Sequence, residues 1–279
     1  MNDAIATSLA GRWQGHFDAV PPLGWLALQV AALWPHWAWA AARVADGSDD
    51  PLGVAALAVL LVLVGRLAPR LRAAPRPLWL GLALAASVAA TVAGLVGPPL
   101  FGALLAALAC AAGLRAFLPT SHPALALAGL TVLALPLLSS LQFYAGHPLR
   151  LLTAQASTWV LQALGMAAQR TGTAMRVEGR LIIVDAPCSG VQMVWMAYFC
   201  ACAVAAWRAT GDHAFLRRMP WVGVLVLCGN VLRNSLLVGL EARQHAVSDA
   251  VHQGVGLVVL AGVCAAVVAL MHGGRDARA

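Results

Sequence analysis

The sequence predicts an all-α fold, a polytopic transmembrane helical bundle of about eight helices with a short extracytoplasmic helix and hairpin segment. Three observations carry that expectation. Of 279 residues, 61% are hydrophobic and only 10% are charged, more apolar surface than a soluble domain of this length can hide. The apolar residues gather in windows long enough to cross a hydrocarbon core. The 18 basic residues are all arginine and lie mostly in short stretches between those windows, where positive charge marks the cytoplasmic side. The net charge of +7 is therefore a matter of topology, and no nucleic-acid partner is expected.

In chain order, the expected spans lie near 22–42, 51–67, 77–96, 99–117, 123–143, 188–208, 220–241 and 249–271, each a window of apolar residues of roughly membrane length. The first twenty residues lack a charged stretch feeding an apolar one, so no cleavable signal peptide is expected. "VGPPLFG" is read as a tight break between the third and fourth spans. With both termini in the cytoplasm, the inside segments hold eleven arginines and the outside segments six, the asymmetry that orientation requires. Residues 144–187 form the one long outside segment. Its first half reads as an amphipathic helix on the membrane surface. Its second half, "AMRVEGRLIIVDAP", has β-branched residues around Glu178-Gly179 and reads as a hairpin delivering the chain to Cys188. No repeat, linker or second domain is evident, so residues 1–279 are read as a single integral membrane domain.

Three polar residues then stand out by depth. Arg233, in "NVLRNSLL", is about 12 Å below the outer end of its helix at 1.5 Å per residue. An arginine there costs several kcal/mol unless it faces water or a partner, although an outward snorkel or a pairing with Glu241 would also satisfy it. His252, in "VHQGVG", opens the last helix from the outside. Cys188, in "VDAPCSGV", opens the sixth. Consecutive antiparallel helices thus bring a thiol, a guanidinium and an imidazole to one leaflet.

That set suits acyl transfer. A nearby cation and an imidazole activate a thiol, and a guanidinium in low dielectric stabilises an oxyanion. Gln192 and Asn230 are one turn from Cys188 and Arg233 and could donate hydrogen bonds or simply pack helices. Asp185 could orient His252 or be an ordinary loop carboxylate. Gly190 would let a substrate backbone approach closely. The other cysteines, Cys110, Cys200, Cys202, Cys228 and Cys264, lie in apolar runs without C-x-x-C spacing and read as small apolar filler.

The order "LPLLSSLQFYAGHPLRLLTAQASTWVLQALG", "VDAPCSGV", "NVLRNSLL" and "VHQGVG" resembles the exosortase/archaeosortase family of integral-membrane cysteine transpeptidase-like enzymes. The match covers about 130–260, which would carry the catalytic core. The resemblance implies Cys188, Arg233 and His252 as catalytic residues. It implies exported proteins with C-terminal sorting signals as substrates, each combining a Pro-Glu-Pro-type motif, a transmembrane helix and a basic tail. It further implies a cell inner membrane location with the site facing the periplasm, and an association with exopolysaccharide machinery. Pro187 before the cysteine departs from the family's usual context and bears on the subfamily and its motif. No cofactor or metal is called for. The competing readings are an intramembrane serine protease using Ser189 with His252, a non-enzymatic transporter or scaffold subunit of a polysaccharide export system, and a thiol-redox protein.

Overall fold

The computed structural model describes residues 20–183, 189–243 and 248–273. Among the described residues there are ten α-helices: α1 Pro22–Ala32, α2 Trp34–Ala45, α3 Leu52–Leu67, α4 Pro77–Val96, α5 Pro99–Phe117, α6 Leu125–Leu133, α7 Leu138–Ala163, α8 Val191–Trp207, α9 Asp212–Arg243 and α10 Asp249–His272. A sheet of three short strands, β1 Ala168–Thr171, β2 Ala174–Val177 and β3 Arg180–Ile183, follows α7.

The all-helical membrane class is what the composition predicted. Among the described residues five helices are long and apolar enough to cross a membrane, or six if α6 and α7 together count as one broken span. Proline explains most of the difference from eight. The first window divides at Leu33 because Pro35 in the first turn of α2 has no N–H and its ring crowds the carbonyl four residues earlier. The fifth window divides around Pro136, between α6 and α7. The sixth, α8, is 17 residues long, short of the roughly 20 needed for a straight crossing. The stretch expected to lie on the surface as its own helix belongs instead to α7, which runs 26 residues through Pro148 without a break.

The described chain forms two compact units. The first comprises residues up to Pro136 plus Ala206–Asp212. Within it α4 packs along α5, and His36 of α2 fits where Gly94 and Gly102 leave room, an added Cβ lying 2.9 and 2.8 Å from its ring. Arg76 donates to the carbonyls of Arg115 and Leu118 at 2.7 and 3.0 Å, satisfying acceptors that the end of α5 leaves open. Asp212 does the reverse for α6: one carboxylate oxygen accepts the amides of Ala124 and Leu125, each at 2.9 Å.

The second unit comprises Leu137–Ala205 and His213 onward. Its sheet is a meander of two antiparallel pairings, with Ala168 opposite Val177 and Val177 opposite Arg180. Glu178 and Gly179 both have positive φ, 49° and 80°, the two-residue turn whose twist suits a hairpin. This is the hairpin expected from the sequence; the residues linking it to Cys188 lie outside the described ones. The sheet's buried face, Met175, Val177 and Ile182, packs with Ala154 and Leu161 of α7 and Val238 and Ala242 of α9. Lower in the unit, Gly229 of α9 is where three helices converge: a Cβ there would run into Val263 of α10 and come within 3.3 Å of Met193 Sδ on α8. Arg218 donates to the Met271 carbonyl at 2.9 Å, tying the first turns of α9 to the end of α10.

Candidate active site

α8 begins with a turn that the sequence builds for one purpose, to start a helix against two others. Ser189 Oγ accepts the Val191 amide at 3.4 Å, one of the donors that the first turn of a helix leaves open, and donates to Gln142 Oε1 of α7 at 2.8 Å. Gly190 follows with φ of +81°, a conformation natural to glycine. An added Cβ would lie 2.7 Å from the Asn230 carboxamide. The room left by Gly190 is thus filled by Asn230, and the close approach expected of a substrate backbone at this glycine is made by a side chain of the protein.

Asn230 is 3% exposed and donates to Thr153 Oγ1 of α7 at 2.9 Å. One turn on in α7, Ser157 Oγ donates to the Val231 carbonyl at 3.3 Å. These bonds hold α7 against α9 at the level of the Ser189–Gly190 turn. Asn234, next on the same stripe, reaches Met175 Sδ under the sheet at 3.8 Å. Buried polar side chains in a bundle find partners in this way because an unpaired one is costly.

Arg233 is ten residues from the end of α9, about 15 Å along the helix. Its Nη2 is 3.3 Å from His252 Nε2 in the first turn of α10. A guanidinium only donates, so this contact is a hydrogen bond when Nε2 carries the lone pair and Nδ1 the proton. The pair then holds one positive charge and an imidazole oriented by it. Gly256, one turn below His252, makes room for the guanidinium: a Cβ there would stand 3.2 Å from Arg233 Nε. Both Arg233 and His252 are half-buried.

Two of the residues singled out in the sequence, Arg233 and His252, are therefore brought into contact. Asn230 is placed one turn from Arg233 and engaged with α7. Gln192 is exposed on α8. Cys188 and Asp185 lie outside the described residues, although Ser189, bonded covalently to Cys188, is fixed in the same unit. Gly256 closes the quoted stretch "VHQGVG", whereas sequence reasoning did not single out Gln142, Thr153 or Ser157. The only trace was Thr153 and Ser157 at i, i+4 spacing in a stretch with few charges.

An arginine donor beside an imidazole whose acceptor nitrogen it engages can turn to hold an anionic or developing-anionic oxygen, which frees that nitrogen to exchange a proton next to it. A family model described as transmembrane exosortase matches residues 39–269 of this chain. No curated protein and no solved structure matches it.

Proposed function

The chain belongs to the transmembrane exosortase family, and from that premise we propose that it is a cysteine peptidase or transpeptidase that removes the C-terminal sorting signals of exported proteins. The observation that carries this reading is the 3.3 Å contact between Arg233 and His252, made in the unit where the turn after Cys188 is anchored. In the proposed reaction the Cys188 sulfur attacks the scissile carbonyl carbon, forming an S–C bond while the thiol proton passes to His252. The carbonyl oxygen becomes an oxyanion held by Arg233. As the guanidinium turns to that oxygen, His252 Nε2 is released to carry the proton. Collapse breaks the C–N bond, His252 returns the proton to the departing amine, and a thioester remains on Cys188. Water or an acceptor nucleophile then resolves it.

The substrate signal proposed is a Pro-Glu-Pro-type motif followed by a transmembrane helix and a basic tail. The location proposed is the cell inner membrane, with both termini cytoplasmic and the site facing the periplasm, in the service of exopolysaccharide-associated export. Ser189 is a poor rival as nucleophile: it is 2% exposed and its hydroxyl is committed to Gln142. The test is the C-terminal mass of an exported protein bearing such a tail, produced beside the native chain or Cys188→Ser. Tail removal by the native chain alone supports the thiol mechanism, and added mass on the new terminus identifies the acceptor. Equal removal by both would rule it out.

A further inference from the structure

Beneath the Ser189–Gly190 turn lies a partly open cavity of about 160 Å³ lined by α7, α8 and α9. Thr153, Ser189, Gly190 and Asn230 line it toward the turn, and Tyr198 and Gly223 line it two helical turns below, with Val226 among the apolar wall residues. On α9 the positions 223, 226 and 230 form one stripe at helical spacing. At its turn end the cavity is lined by Ser189, the residue after Cys188, and by Asn230, which lies one turn before Arg233 on α9.

Its size and lining decide what it can take. Pockets for whole small molecules run to about 300 Å³ and above, so this one is too small for such a ligand. A cavity of about 150 Å³ with apolar walls admits a six-carbon ring, so this one accommodates one aliphatic side chain. Among the described residues no carboxylate, guanidinium or imidazole lines it, and burying a charged side chain there would be costly. We propose that this cavity is a specificity subsite that receives the side chain next to the scissile carbonyl, and that it selects an uncharged aliphatic residue of the size of valine, proline or leucine. This deepens the cysteine-peptidase reading and rests on it.

The experiment uses the detergent-solubilised full chain and a set of peptidyl chloromethyl ketones that differ only in the residue bearing the warhead: Gly, Val, Leu, Phe or Glu. The Cys188 sulfur displaces chloride from the methylene carbon, forming the S–C bond as C–Cl breaks, and the thiol proton leaves with the chloride. Intact mass gives the labelling rate, and Cys188→Ser is the blank. Val and Leu probes should label at least about tenfold faster than Gly, the usual worth of a filled apolar pocket, and Glu should be slowest. Gly223→Ala, whose new methyl would stand 3.3 Å from Tyr198 Oη, should shift the preference from Leu toward Val. Val226→Ala should shift it toward Phe, so that narrowing and enlarging variants give opposite changes. Labelling at Cys188 with one unchanged order in all three proteins would overturn the subsite alone. Absence of labelling at Cys188 by every probe would overturn the nucleophile assignment, and the subsite with it.

Discussion

Replacing Gly190 with alanine would impose an L side chain on a left-handed residue and press a methyl against Asn230 at 2.7 Å. Strain of this kind costs about 1–3 kcal/mol, so Gly190→Ala should lower the melting temperature in detergent as well as abolish processing. Gly256→Ala is a milder probe. Its methyl would meet Arg233 Nε at 3.2 Å, displacing the guanidinium by tenths of an ångström. Processing should fall by about tenfold, since small misplacements are expensive in catalysis, while melting stays unchanged; a fall in melting with full processing would detach Gly256 from the site. Arg233→Lys keeps the charge but loses the planar fork, and tail removal should drop about 10²- to 10³-fold. Arg233 and His252 were legible in the sequence because a membrane makes polar residues conspicuous. Thr153 and Gln142 were not, because hydroxyl and amide groups are common in helices and only their partners, on helices distant in sequence, give them meaning.

At the scale of elements, α7 is the least expected and the most informative. It reads as half span, half surface helix, yet it is one helix whose Thr153 and Ser157 hold α9. Thr153→Val removes the acceptor for the Asn230 amide and should destabilise the protein by about 1–3 kcal/mol, the cost of a stranded buried donor. Thr153→Ser should restore both melting and labelling of Cys188. An unchanged melting curve for the valine variant would show that the Thr153–Asn230 bond does not hold the turn. The hairpin was legible because β-branched residues flank Glu178-Gly179 on both sides. Strand β1, "AQRT", was not, because it has no alternation of its own. It is held instead by pairing with β2 and by its ends, where the Glu178 carboxylate accepts the Ala167 amide at 2.7 Å and the Ala167 carbonyl accepts the Glu178 amide at 2.9 Å.

For the molecule as a whole, acid should weaken the first unit. His122, in the loop before α6, has its pKa lowered from 6.5 by burial first and then by Arg115 and Arg70. Its folded form binds a proton less readily than the unfolded chain, so its contribution is present above the unfolded value and is lost as pH falls through the lowered folded value. Melting temperature should decline on acidification below about pH 6.5, and His122→Gln should make the decline shallower. An identical slope in both proteins would remove His122 from the account. The membrane class and the order of the long helices were legible because burial in lipid demands long apolar runs. The two breaks at Pro35 and Pro136 follow from proline chemistry. The membership of Ala206–Asp212 in the first unit was not legible, since it depends on contacts far apart along the chain.

That membership sets a clock on biosynthesis. The amide of Ala124 finds its acceptor on Asp212, 88 positions later. At about 5–20 residues per second, the ribosome needs roughly 4 to 18 s to supply it. During that interval the start of α6 waits uncapped, so the N-terminal unit is completed only once the chain has returned from its excursion through the sheet and α8.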